Sequence, residues 1–445
     1  MKKTLLLLFF LSIFSVFSYA QTDSERLDQV MQAATNAGVF SGVVLVARND
    51  SILLFKSYGW RDFEHQIPHD TNSVFQIGSV TKQFTATVIL WLQEQGKLNV
   101  NDKLSSYFPE YQYADGLTIK NLLTHTSGIY NFTDEHYLKD LGDKPYSQND
   151  FWSCVADKPL EFTPGSKFQY SNSNYMILGY LIQKVSGKPY EQMVREVIFN
   201  KVGMTHSGFD FAHLSSPFKS IGYDTLKEKI HIRARRGDSS ATYAAGGMYT
   251  TARDLYRWSL ALYTNLIISQ KSLEEAFTPH MGNYGYGWYI ECCAGGKNMV
   301  HNGGIWGFQA QFKRFPEDHG CIILLRNEMR GFEDYALSLH RIYRHDTNYY
   351  IPRKEIAIGA DSLQPFAGNY ELTGKPEFKA TILLSDGHLI LTWTKMASEE
   401  IYAEKKDFFH FKAYNMQLAF TRDERGVITG FTAIGSGQTF AYRRL

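Results

Sequence analysis

Ser79 and Lys82 stand three residues apart in Phe75-Gln-Ile-Gly-Ser-Val-Thr-Lys-Gln-Phe-Thr-Ala86. On a helix, positions i and i+3 share a face, about one turn apart. The spacing sets a hydroxyl beside an amine that can take its proton, so Ser79 is a candidate nucleophile and Lys82 its activating base. Tyr170-Ser-Asn172 follows a Pro-Gly turn in Thr163–Gly179. A phenol beside an ammonium has its ionised form favoured, so Tyr170 can relay the serine proton. Asn172 can hydrogen-bond a substrate amide or the Lys82 head group. The third candidate is His301-Asn302-Gly303-Gly304, expected at a strand end beside a Gly-rich hairpin. Consecutive glycines let a substrate approach the backbone closely. The N–H groups of Ser79 and Gly304 could then form an oxyanion hole.

Each motif is cheap in isolation. Ser216…Lys219 repeats the first spacing, Tyr263…Asn265 the second, and H-x-G recurs at His206 and His280. Placement separates them. Ser216 has Pro217 behind it and no long apolar helix. Ser79 opens a pattern that runs through Thr87-Val-Ile-Leu-Trp-Leu92 to a stop at Gly96. The wide apolar side of that pattern predicts a buried helix, whose dipole and backbone N–H groups favour a nucleophile at its start.

The elements that must carry these residues can be read from periodicity. Ser24–Ala37 is helical, with Leu27, Val30, Met31 and Ala34 on one face and Ser24 as N-cap. Ser41–Arg48 and Ser51–Tyr58 read as strands around the turn Asn49-Asp50. From Asn101 to Gly246 the signals are helix and turn. Thr251-Ala-Arg-Asp254 resembles a capping box before the helix containing Trp258. Strands return at Tyr286–Ile290, Asn298–His301, Phe308–Phe315 and Cys321–Asn327, then Phe332–Arg344 is an amphipathic helix. Strands at both ends with helices between imply an α/β sheet completed by both ends, with an inserted helical lobe. Residues 346–362 read as a linker. From Leu363 to Leu445 the pattern is short strands: Lys379–Leu384 and His388–Trp393 around the hairpin signal Ser385-Asp-Gly, then Glu400–Lys412, Met416–Arg422 and Val427–Ala433. This is a small antiparallel β domain, a barrel or a sandwich.

Composition bounds the rest. The 445 residues are 44% hydrophobic and 20% charged, an ordinary globular balance for a chain of two or three domains. Lys2 and Lys3, the apolar run Leu5–Phe17 and Ser18-Tyr-Ala20 form a secretory signal pattern over residues 1–20, so export to the periplasm or medium is expected. Taking Lys2 and Lys3 away with it leaves 44 basic residues of the 46 against 45 acidic ones. That balance gives no reason to expect nucleic acid or stable membrane insertion. Export permits disulfides, and Cys292 or Cys293 could pair with Cys154, whereas Cys321 sits in an apolar run. No spacing suggests a metal or a cofactor. The expected partner is a small-molecule or peptide substrate, and the oligomeric state is left open.

The three motifs, in this order, resemble the serine β-lactamase and penicillin-binding-protein superfamily on its class C β-lactamase-like side. Leu122-Leu-Thr-His-Thr-Ser-Gly128, Ala244-Ala-Gly-Gly-Met-Tyr-Thr-Thr-Ala-Arg-Asp254 and Tyr286-Gly-Trp288 extend the resemblance over about Ala37 to Asn327. The resemblance implies an acyl-serine enzyme with Ser79 as nucleophile, Lys82 as its amine, Tyr170 as proton shuttle and Asn172 in support. His301-Asn-Gly would line the pocket from the edge strand, with residues 21–345 as the hydrolase domain. Residues 363–445 resemble the lipocalin-like β domain appended to such hydrolases. One departure matters. β-Lactamases and D-Ala-D-Ala peptidases of the superfamily carry Lys where this chain has His301. Lys is a lasting cation that suits a substrate carboxylate, and His is mostly neutral near pH 7. The pattern is similar to esterases and D-amino-acid peptidases. The alternatives are a β-lactamase or D-Ala-D-Ala carboxypeptidase, and a non-catalytic binding protein on the same scaffold. Tyr130, Tyr243, Tyr249 and Trp306 are candidates for an apolar pocket wall.

Overall fold

A computed structural model describes residues 21–133, 144–227, 230–293, 296–329, 334–412, 415–435 and 437–445. The signal pattern over residues 1–20 lies outside them. Helix α1 (Asp23–Asn36) buries Leu27, Val30, Met31 and Ala34, the face expected. Its cap is Thr22 rather than Ser24. The Thr22 hydroxyl accepts from the Glu25 amide and the Glu25 carboxylate accepts from the Thr22 amide, a reciprocal pair that Ser24 could not make with the same glutamate. Strands β1 (Gly42–Arg48) and β2 (Ser51–Tyr58) follow. They are joined at Asn49 and Asp50, both with positive φ, as a tight hairpin turn needs.

Helix α2 (Thr81–Glu94) is buried along almost its whole length, including Lys82, and starts from a 3₁₀ turn at Gly78–Val80. Helix α3 (Asn172–Ser186) and helix α4 (Ala252–Ala261) come next. The Thr251 hydroxyl caps α4 by accepting from the Asp254 amide, as expected. Strands β3 (Tyr289–Cys293), β4 (Gly296–Ile305), β5 (Phe308–Phe315) and β6 (Gly320–Arg326) lead to helix α5 (Asp334–Tyr343). The sheet order is β2-β1-β6-β5-β4-β3, all antiparallel, so the chain's first strands sit beside its last one in this unit.

Alternation divides the sheet's two faces. Val43, Leu45 and Ala47 join the core shared with α2, α3 and the helical lobe. Val44 and Val46 join a second core with α1 and α5. A sheet covered on both faces explains why β1 and β6 read as unbroken apolar runs. Two boundaries differ from expectation. β3 begins at Tyr289, because Gly287 ahead of it takes φ 78° and breaks the extended run. β4 runs on to Ile305, so His301-Asn-Gly-Gly304 lies inside a strand and not at its end.

Residues 346–359 are irregular and lie along the C-terminal unit, with the Ile356 amide donating to Ala403 O at 2.8 Å. That unit is a closed barrel of eight strands in sequential order, which decides between barrel and sandwich. β7 (Gly368–Leu372) closes on β14 (Gln438–Arg444) through pairs such as Tyr370↔Arg444. The strand expected over Glu400–Lys412 is two strands, Ser398–Lys405 and Phe408–His410, separated by a turn in which Asp407 takes φ 61°. Tyr370, Ile382, Leu391, Phe409, Phe420 and Phe431 fill the interior.

Candidate active site

Three distant segments meet at Ser79. The turn at Gly78–Val80 sets its hydroxyl at the head of α2. Gly78 has φ 49° and lies so close to β4 that a Cβ there would fall 2.8 Å from the Gly304 amide nitrogen. A Cβ on Gly303 would fall 1.9 Å from Ile77 O and 2.9 Å from Ser79 N. The glycines therefore let β4 press its backbone against the serine turn, which brings the Ser79 and Gly304 amides into one neighbourhood.

Lys82 Nζ lies 3.0 Å from Ser79 Oγ, 2.7 Å from Asn172 Oδ1 and 2.7 Å from Ala245 O. Burial pushes the Lys82 pKa well below its ordinary 10.5. An ammonium offers three donors. The neutral amine keeps two, which match Asn172 Oδ1 and Ala245 O, and turns its lone pair to the Ser79 hydroxyl. The geometry thus suits a base that takes the serine proton. The Asn172 side-chain amide donates to Thr133 Oγ1 at 2.7 Å, and its backbone amide donates to Asn131 Oδ1 at 3.0 Å. Both ends of the Asn172 side chain are thus committed to protein groups, in favour of the Lys82 head group rather than a substrate.

Tyr170 is half-buried with its hydroxyl turned inward, and Lys82 Nζ lies 4.9 Å from its ring centroid. Burial raises its phenol well above the ordinary range, and the adjacent Ser79 hydroxyl offsets only part of that. The Tyr170 hydroxyl has no hydrogen-bond partner among the described residues. A neutral phenol whose buried hydroxyl lies beside the nucleophile is placed to hand a proton to a departing group.

His301 is 2% exposed. Its Nδ1 sits 2.7 Å from Asn302 O, a carbonyl that can only accept, so Nδ1 carries the hydrogen. Nε2 then accepts from the Tyr284 hydroxyl at 3.0 Å. Burial pushes the imidazole pKa down to about 3. His301 is a neutral ring with both nitrogens in use. Asn302 is exposed, and its Oδ1 accepts from Gln311 Nε2 at 3.2 Å.

Comparison with known proteins decides the family. A family profile described as Beta-lactamase matches residues 27–344. The chain belongs to the β-lactamase family. It is 36% identical over 306 residues to a protein named putative penicillin-binding protein PbpX of Bacillus subtilis (strain 168), across 68% of this chain and 75% of that one. A solved penicillin-binding protein from Bacillus halodurans superposes with a TM-score of 0.61 at 26% identity, covering 72% of this chain and 97% of its own. The octameric penicillin-binding protein homologue from Pyrococcus abyssi superposes with a TM-score of 0.68 at 20% identity over 94% of this chain and 99% of its own, a likeness of fold. A D-amino acid amidase from Ochrobactrum anthropi SV3 does so with a TM-score of 0.59 at 24% identity, covering 71% and 96%, again a likeness of fold. This family member is a serine hydrolase of the β-lactamase and penicillin-binding-protein superfamily.

All eight expected site residues converge around Ser79 or on the adjoining stretch of β4. The decoys do not. Lys219 Nζ donates to Ala212 O, and Tyr263 hydroxyl to Phe315 O. The expected aromatic wall is not assembled: Tyr243 packs between Tyr180 and Tyr190, and Trp306 lines a separate small cavity beside Gly237. Tyr170 and Tyr289 line the catalytic cavity instead. Cys154, Cys292 and Cys321 are thiols, so no Cys154–Cys292 disulfide exists, and the Cys293 side chain lies outside the described residues. Three participants were missed. Ala245 O binds Lys82, Tyr284 binds His301, and His125 supports Tyr170. The His125 ring centroid lies 4.2 Å from that of Tyr170, and its Nδ1 accepts from the Ser171 amide at 3.2 Å. His125 stood in the Leu122–Gly128 stretch that the resemblance included; a backbone carbonyl such as Ala245 O carries no residue-type signal at all.

Proposed function

We propose that the protein is an exported hydrolase that forms an acyl-enzyme at Ser79 and cleaves an ester or a D-amino-acid amide. Ser79 Oγ attacks the carbonyl carbon as its proton passes to Lys82 Nζ. The amides of Ser79 and Gly304 hold the resulting oxyanion. Tyr170 delivers a proton to the leaving alcohol or amine. Water then enters by the reverse of these steps and releases the acid, with Ser79 regaining its proton. The observation that carries the choice of substrate is His301. A penicillin or a D-Ala-D-Ala terminus brings a carboxylate to this part of the cleft, where a lysine would meet it. The neutral His301 ring has both nitrogens occupied by Asn302 and Tyr284 and offers it neither charge nor donor. Export rests on the residue 1–20 pattern.

The second reading, a β-lactamase or D-Ala-D-Ala carboxypeptidase, is favoured by the name of the PbpX relative. One panel separates the two. Ser79→Ala is expected to abolish turnover of p-nitrophenyl acetate and D-alanine p-nitroanilide while the protein stays folded. A labelled penicillin is expected to leave no covalent adduct on Ser79. Retained turnover in Ser79→Ala removes Ser79 as nucleophile, and rapid penicillin labelling at Ser79 transfers the conclusion to the second reading. A fluorophosphonate probe that labels Ser79 eliminates a purely binding role.

A further inference from the structure

The catalytic cavity does not end at the serine. It has a volume of about 980 Å³ and is lined by Ser79 and Tyr170 at one end and by Leu337 and His340 of α5 at the other. The route between them follows from strand pairing. β3 pairs with β4 only as far as Tyr289↔Val300. Beyond Val300 that edge of β4 is open, and the cavity passes over it. His301 faces the serine, whereas Val300 and Asn302 face the opposite side of the sheet. The cavity continues there as a groove floored by Val300, Asn302, Gln311 and Ile322 and bordered by α5.

Tyr170 identifies which half of a substrate enters. The leaving group must take its proton from Tyr170, and Tyr170 belongs to this cavity. The cavity beside Trp306 includes neither Tyr170 nor His301. The groove therefore opens from the reacting bond, in the cavity that holds the leaving group's proton donor.

We propose that the leaving group is an uncharged, extended peptide-like chain that occupies this groove across the outer face of β4 and β5. The proposal rests on the hydrolase reading above and specifies its substrate. Charge supports it, because the groove's ions already have partners. Lys313 Nζ lies 2.6 Å from Glu291 Oε2, and Asp334 Oδ2 accepts from the Asn415 amide at 2.5 Å. Hydrogen bonding supports it too. Gln311 Nε2 donates to Asn302 Oδ1, which leaves Asn302 Nδ2 as a donor and Gln311 Oε1 as an acceptor. One peptide unit presents the complementary C=O and N–H. Val300, Ile322 and Leu337 supply apolar surface beside them. From Asp334 to His340 the helix rises about 9 Å at 1.5 Å per residue, the span of about three residues of extended chain.

Leu337 provides a reporter position, since its exposed side chain lines the groove from α5. In the full chain carrying Ser79→Ala and Leu337→Cys, the rate of alkylation at position 337 by iodoacetamide is read by fragment mass spectrometry. Saturating D-alanyl-tetraglycinamide is expected to slow it at least tenfold, and D-alaninamide less than twofold. In the unsubstituted enzyme, kcat/KM is expected to rise at least tenfold from D-alaninamide to D-alanyl-tetraglycinamide. An unchanged rate at position 337 with the long peptide overturns the groove, as does protection by chitotetraose instead of the peptide. Protection of position 337 by the long peptide without turnover of either amide upholds the groove and counts against the hydrolase reading.

Discussion

Gly303→Ala tests the closest contact in the site. A Cβ at this position would stand 1.9 Å from Ile77 O and 2.9 Å from Ser79 N. An ordinary C···O contact is about 3.3 Å, so β4 and the serine turn must separate by about 1.4 Å, given the 1.9 Å starting point. Gly303 does not have positive φ, so alanine adds no backbone strain and the effect is steric. A displacement of about 1 Å lowers catalysis about 100-fold. Loss of one oxyanion donor lowers it about 10²–10³-fold, or about 2.7–4 kcal/mol. The acylation rate is therefore expected to fall about 10²–10³-fold. Overpacking of this kind costs about 1–3 kcal/mol of stability, visible as a lower melting temperature. Gly304→Ala is the contrast. Its Cβ would meet only Met329, with Cε at 3.5 Å, and its N–H is kept, so a loss under about fivefold is expected. The assay is the pre-steady-state burst of p-nitrophenol from p-nitrophenyl acetate, alongside circular dichroism melting. A folded Gly303→Ala enzyme that acylates within about threefold of the parent would falsify the assignment of this contact to the oxyanion site.

Burial lowers the Lys82 pKa, so the acylation rate should climb with pH through that depressed value and level off; Lys82→Arg, which stays charged, is expected to lose about 10²–10⁴-fold, and an unchanged profile in that variant refutes Lys82 as base. Lys82 also has a stability signature. Between its depressed folded value and about 10.4 the unfolded chain binds the extra proton, so stability gained at high pH is lost as pH falls through the folded value; urea titrations across that window should show the slope shrink in Lys82→Met. His125→Ala deprives the Ser171 amide of its acceptor and Tyr170 of its ring contact. A fall of about 10–100-fold in kcat with little change in KM is expected, and a change confined to KM would place His125 elsewhere. Phe409→Ala opens the barrel core against Phe366 and Phe420 and should cost about 3–5 kcal/mol. Calorimetry is expected to show the barrel transition move while turnover of p-nitrophenyl acetate persists at 25 °C; equal loss of both would show that the two units fold together.

The sequence by itself determined whatever neighbours along the chain can encode. Helix α2 and its serine, the hairpin at Asn49-Asp50, the Thr251 cap and the strands of the sheet all follow from local periodicity and turn chemistry. The choice of Ser79…Lys82 over Ser216…Lys219 was legible too, because only the first opens a long apolar helix, whereas the candidates Tyr170, Asn172 and His301 leaned on the family resemblance. Tertiary structure decided the rest, since desolvation and pairing depend on what the fold lays over a residue. Ala245 O, 163 residues from Lys82, makes the amine a base poised on Ser79. Tyr284, which no motif includes, fixes His301 as a neutral ring. The late start of β3 at Tyr289 opens the β4 edge beyond Val300 and lets the cavity cross the sheet. Closure of the barrel required β7 to meet β14, a pairing between strands about 70 residues apart that no local pattern records.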